Sequence, residues 1–136
     1  MNDENMRSLA KIRFERSLEL QDEAENLLKD KLYKSANNRA FYSAEKAIKA
    51  VLAAKGKDAE THNGVLKTFN MEFIHNQNEF FSRDDMKSLQ SIERIRNASD
   101  YDDFYVTSKA ECEDQVKKSK HILDKVKVFL ESEGII

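Results

Sequence analysis

The sequence has 136 residues, close to the commonest size of one folded domain, and chains of this length bury enough apolar surface to fold without a disulfide or metal as a staple. Hydrophobic residues make up 40% and charged residues 35%, with no proline and only three glycines, a composition too poor in turn formers for a sandwich or barrel. The formal charge of −2 argues against a strongly basic nucleic-acid binder, the lone Cys112 excludes an intramolecular disulfide, and no apolar run approaches the ~20 residues of a membrane span.

These limits predict one all-α domain over residues 1–136, an up-and-down bundle of about five helices. The acidic N-terminal residues have no apolar run behind them, so no signal peptide is expected and the expected compartment is the cytoplasm.

Spacing of three and four residues predicts a first helix over 3–30, with Leu9, Ile12, Arg16, Leu20, Ala24 and Leu27 as its inner stripe. The second helix is expected over 33–55. Tyr33, Ala36, Ala40, Ala44, Ala47, Val51 and Ala54 form one line there, with Phe41, Ile48 and Leu52 beside it. So many alanines let a partner helix approach closely. Gly56 falls where a helix end wants a residue able to take positive φ.

A third helix over 63–74 has Thr61 as its expected N-cap and carries Val65, Leu66, Phe69 and Phe73. Residues 75–81 read as a loop. The fourth helix, 84–98, is capped by Ser82, with Asp84 and Asp85 suited to the positive end of the helix dipole. Its stripe is Met86, Leu89, Ile92 and Arg96. Residues 99–106 read as irregular. The fifth helix, 109–131, opens with a capping box of Ser108 and Glu111, runs on Cys112, Val116, Ser119, Leu123, Val126 and Leu130, and ends at Gly134.

No metal site is expected, because His62, His75, Cys112 and His121 lack ligand spacing, and no glycine-rich phosphate loop is present. No cofactor is expected either. Cys112 lies in an apolar stripe and reads as a buried structural thiol. The lysines of 117–127 spread round the polar face of the last helix, as solvated side chains do.

Arg96 is different. It continues the stripe of Leu89 and Ile92, so its guanidinium points toward other helices and needs an anion or carbonyls to offset desolvation. Two readings stand side by side: a structural pair with Asp100, or an arginine that faces a ligand with Asn97 and Tyr101 beside it. In the second helix Asn37, Asn38 and Arg39 interrupt an apolar run. Asn37 falls within the apolar arc, while Asn38 and Tyr42 share a flank. A buried asparagine must have its amide satisfied, so it either fixes helix register or lines a polar pocket. His62, in phase with Phe69, faces the same region or sits in the core.

Three stretches carry a resemblance: Ser-Ala-Asn-Asn-Arg-Ala-Phe-Tyr-Ser-Ala at 35–44, Thr-His-Asn-Gly-Val at 61–65, and Arg-Asn-Ala-Ser-Asp-Tyr at 96–101. In order, spacing and placement on helices, they resemble the HEPN family, particularly its small stand-alone prokaryotic members, over roughly residues 9–130. The resemblance implies a helical bundle that pairs as a two-fold homodimer. It also implies metal-independent ribonuclease chemistry, toxin or defence roles, and a minimal nucleotidyltransferase as antitoxin partner. The family's active motif is an arginine, usually followed by a polar residue, with a histidine four to six residues beyond. Arg96 and Asn97 match its first half. Asp100 and Tyr101 stand where the histidine would fall.

Cleaving RNA without metal needs groups that exchange protons near the operating pH. Histidine does so; tyrosine, near ~10, and aspartate, near ~4, do so poorly. The substitution therefore leaves phosphate binding by Arg96 better supported than catalysis. The resulting expectation is a toxin–antitoxin-like or RNA-related module, with Arg96, Asp100 and Tyr101 at its centre and Asn97, Asn38, Arg39 and His62 lining the ligand. The alternatives are an inert binding subunit of a nucleotidyltransferase complex and a purely structural helical dimer.

Overall fold

The computed structural model describes residues 3–59, 61–76 and 78–136, and of His62 only the backbone. Among these residues the chain is helical without a strand: α1 Asp3–Lys29, α2 Tyr33–Ala54, α3 His62–Phe69 with a π-helical continuation Asn70–His75, α4 Arg83–Tyr101 and α5 Lys109–Ser132. No helix among the described residues is long and apolar enough to cross a membrane.

Side-chain contacts fix the register between helices. Ser43 in α2 donates to the carbonyl of Ser17 in α1 (3.0 Å), and Arg13 Nη1 donates to the carbonyl of Lys49 (3.2 Å), so α1 and α2 run antiparallel. The contacts Asn37–Ser99 and Tyr42–Arg96 set α4 antiparallel to α2 as well. α2 is thus the central helix, and its alanine face (Ala36, Ala40, Ala44, Ala47) is fully or almost fully buried against its neighbours. At the far end, Phe69, Phe73, Phe81 and Phe129 pack mostly edge to face with centroids 5–6 Å apart.

Local signals place the helix ends as the sequence predicts. Thr61 caps α3 through the Gly64 amide, and Ser82 and Asp85 exchange both bonds of a capping box at α4. Ser108 accepts from the Glu111 amide, but the Glu111 carboxylate turns to Thr107 Oγ1 (3.3 Å) instead of completing a box. Gly56 (φ 70°) and Gly134 (φ 72°) close α2 and α5 in the left-handed conformation. Lys31 (φ 63°) closes α1 in the same way without being glycine.

Three expectations are corrected. The inner face of α1 is Ala10, Phe14, Ser17, Leu20, Gln21 and Ala24, whereas Ile12 and Arg16 face solvent. Ser17 and Gln21 are satisfied inside by Phe14, Ser43, Val116 and Ser119, so this face is polar in composition yet buried. The third helix runs one residue past its expected end, to His75, before the loop, and its last turn widens so that Phe73 and Ile74, adjacent in sequence, both point inward. Asn78 pins that end, donating to the Phe73 carbonyl and accepting from the Phe80 and Phe81 amides. α4 also runs on through Tyr101, so 99–101 are helical.

Candidate functional site

The site forms where the C-terminal third of α4 lies along the first half of α2. Arg96 is 7% exposed, as its phase with Leu89 and Ile92 predicts. Its Nη2 donates to Tyr42 Oη (2.6 Å) and its Nη1 to Asn97 Oδ1 (2.9 Å). Nε lies 3.0 Å from Asp100 Oδ2, an ion pair within one helical turn that lacks the alignment of a hydrogen bond. Three rings surround the guanidinium: Phe41, Tyr42 and Tyr101, with centroids 5.0, 5.1 and 5.5 Å from its central carbon. The charge is thus held by one carboxylate and by π faces, which accept an arginine readily.

The network continues across the helix pair. Asn38 Nδ2 donates to Asp100 Oδ2 (2.9 Å), Arg39 Nη1 to Asn38 Oδ1 (2.5 Å), and Arg39 Nε to Glu23 Oε1 of α1 (3.2 Å). A groove of about 470 Å³ opens over this line, walled by Lys34, Ser35, Asn38, Arg39 and Asp100. Beneath it Asn37 is almost wholly buried; its amide donates to Ser99 Oγ (3.1 Å) and Thr107 Oγ1 (3.3 Å), tying α2 to α4 and to the segment before α5.

The structure brings together Arg96, Asn97, Asp100, Tyr101, Asn38 and Arg39. The side chain of His62 lies outside the described residues. Sequence reasoning missed Tyr42 and Phe41 as partners of Arg96. The available signal was that Tyr42 shares a flank with Asn38 one turn away. It also missed the exposed apolar residues next to the centre. Phe104 is 96% and Val106 86% exposed, with Tyr101 beside them. By contrast Phe81 is buried, Phe80 packs on Phe129 and Tyr105 is half-buried, so these three aromatic residues of the irregular segments offer no comparable exposed surface.

Elsewhere, Cys112 is buried and its thiol is pushed up to about 11 by burial, with Glu113 and Glu111 adding to the shift. His121 is exposed, with Nε2 3.4 Å from Asp85. No group of three or more His, Cys, Asp or Glu among the described residues has the arrangement of a metal site. A larger hollow of about 830 Å³ lies between α1 and α5, away from Arg96, and two charged residues of its wall, Lys120 and Asp124, pair with each other.

An all-α bundle whose central helix pair holds a buried arginine defines a class of small helical proteins. The HEPN domain family model matches residues 10–129, and the chain belongs to that family. Similar relatives include a "UPF0332 protein" of Thermotoga maritima, 29% identical over 116 residues that cover 85% of this chain and 86% of that protein. Another is the "Putative toxin MJ0142" of Methanocaldococcus jannaschii, 34% identical over 125 residues, 90% of this chain and 80% of that protein. The crystal structure of TT1696 from Thermus thermophilus superposes with a TM-score of 0.73 at 19% identity, covering 87% of this chain and 95% of that one, and it shares the fold.

Proposed function

We propose that this HEPN chain is a single-domain, toxin-like cytoplasmic module whose Arg96 centre engages an RNA phosphate and acts by binding more than by cleavage. The observation that supports this most is the orientation of Arg96: its fork is held by Tyr42 and Asn97, while Asn38 and Arg39 present further donors along the adjoining groove. Tyr101 stands where the family's histidine would act, and tyrosine lacks the imidazole that makes histidine an effective acid–base group.

The test is binding of a fluorescent single-stranded RNA by the wild type and Arg96→Lys, with a cleavage assay on both and on Tyr101→His. The wild type binds with little cleavage. Arg96→Lys, which keeps the charge but loses the fork, weakens binding about tenfold, on the order of 1.4 kcal/mol. Tyr101→His gains cleavage. Unchanged affinity in Arg96→Lys overturns the reading.

A second reading, an inert binding subunit for a minimal nucleotidyltransferase, is favoured by one observation. Tyr101, Phe104 and Val106 are each exposed within one short segment that also carries Asp102 and Asp103, as the surface of a protein-docking site would be. Copurification with such a partner, lost in Phe104→Ser, supports it. The same surface serves a homodimer equally well, and a light-scattering mass of one chain at micromolar concentration counts against that assembly.

A further inference from the structure

α2 leaves one strip uncovered between α1 and α4. From Asn38 and Tyr42 the strip continues one and two turns further to Lys46 and Lys49, positions that stay within a single face of the helix. Both lysines are half-buried, and among the described residues neither forms an ion pair.

α1 adds two more cations along the same edge. Arg13 Nη1 is fixed on the Lys49 carbonyl, and among the described residues its Nη2 meets the exposed Asp58 at 3.5 Å. Arg16 lies next along α1 and is held by Glu19 and Glu23. Burial holds the Lys46 ammonium below its ordinary pKa; Lys49, Arg13 and Arg16 push it the same way, against the pull of Glu45. Four cations gathered at a helix–helix edge repel one another and weaken the fold. On α5, by contrast, Lys109, Lys118 and Lys120 each have a carboxylate one turn away. Arg13 and Arg16 have carboxylates of their own, but Lys46 and Lys49 form no ion pair among the described residues, and a repulsion left uncompensated at these two lysines is one that an external anion relieves.

We propose that Lys46 and Lys49, backed by Arg13 and Arg16, form a track for the phosphodiester backbone of a single nucleic-acid strand, leading along α2 to Arg96. The track deepens the RNA reading above and rests on it for where the strand ends. From Tyr42 to Lys49 the helix advances roughly 10 Å, room for successive phosphates of an extended strand. Lysine suits this role as a point charge, and such contacts carry affinity without sequence preference.

The experiment measures affinity of the full chain for a 12-nucleotide single-stranded RNA, and a DNA of the same sequence, from 50 to 300 mM salt. It compares wild type, Lys46→Gln/Lys49→Gln and Arg96→Lys. The lysine double variant is expected to bind both strands more weakly at low salt, with a log–log salt slope shallower by about 1.4, or ~0.7 per lost phosphate contact. Its melting temperature is at or above that of wild type, because repulsion is removed. Unchanged affinity and slope in the double variant overturn the track; if Arg96→Lys still weakens binding, the RNA reading survives alone. Weakening by the double variant with none from Arg96→Lys leaves the track standing and removes the Arg96 centre. A melting temperature several degrees lower in the double variant marks the lysines as structural and overturns the proposal, as does failure of wild type to bind either strand at 50 mM salt.

Discussion

Replacing Arg96 by alanine measures what the residue does for the fold, apart from its proposed role in binding a ligand. The Arg96 side chain is 9% exposed and pairs at 3.0 Å with Asp100, whose own side chain is 22% exposed. Removing one partner of a fully buried pair costs about 3–5 kcal/mol, because the other charge is left uncompensated. Here Asp100 retains solvent on one side and the Asn38 amide at 2.9 Å, which lowers the cost. Loss of the contacts with Phe41, Tyr42 and Tyr101 restores about 0.5–1 kcal/mol of it. The net expectation is about 2–4 kcal/mol of lost stability. Asp100→Asn keeps the shape and leaves Arg96 its bonds to Tyr42 and Asn97, so about 1–2 kcal/mol is expected. The double variant loses less than the sum of the two, with a coupling of about 1–2 kcal/mol. Urea denaturation followed by far-ultraviolet circular dichroism reads all three values. A loss below 0.5 kcal/mol (about the limit of detection) for Arg96→Ala, or strict additivity, refutes the pairing argument.

Three further outcomes follow from the local geometry. Lys31→Gly relieves a left-handed residue at the end of α1, where α2 and α5 already use glycine, and raises stability by about 0.5–1 kcal/mol; a lower melting temperature contradicts this. Asp85→Asn removes the charge that accepts from the Ser82 amide (2.8 Å) and Lys125 Nζ (2.6 Å) and lowers stability by about 1–3 kcal/mol, whereas an unchanged urea midpoint shows that the pair contributes nothing. The fold keeps the Cys112 thiol neutral, raising its pKa from 9.0 to about 11, so the stability it contributes is complete below pH 9 and is lost as pH rises through 11. That loss is on the order of 3 kcal/mol, seen as a steeper alkaline decline in wild type than in Cys112→Ala; parallel declines refute it.

Much of this fold is legible in the sequence because its signals are local. Thr61, Ser82 and Ser108 cap helices through amides three residues away, and Gly56 and Gly134 end them, so each signal and its effect lie within one turn. The stripes of α2, α4 and α5 are read correctly because their buried positions are mostly apolar. α1 misleads because its buried face includes Ser17 and Gln21, whose partners come from α2 and α5 and are invisible to an apolar count. Arg96 is conspicuous as a charge in an apolar phase. Its bond to Tyr42 spans 54 positions and exists only once α4 is laid antiparallel to α2, so no spacing rule reveals it. The cation track escapes notice for the same reason, since Lys46 and Lys49 become unusual only beside Arg13 and Arg16 of another helix.

Under the RNA reading, Asp100 links the structural role of Arg96 to its proposed role in ligand binding. It sits in the last turn of α4, where the helix dipole disfavours a negative side chain, and Arg96 one turn back offsets that disadvantage. A phosphate seeking the Arg96 fork meets this carboxylate as its direct competitor, because both anions need the same guanidinium. The competitor stands at a helix end with part of its side chain in solvent, so it can swing away without unpacking the core. Under the RNA reading, then, Asp100→Asn has effects of opposite sign. The variant is less stable than wild type, yet binds single-stranded RNA several-fold more tightly, because a like charge at the binding point is gone. Arg96→Lys, by contrast, loses affinity. A purely structural pair gives no such opposition, since loosening the end of α4 then leaves RNA affinity unchanged or reduces it. Denaturation and anisotropy titration on the same Asp100→Asn preparation supply both signs, and lower stability with unchanged or weaker RNA binding refutes the competition.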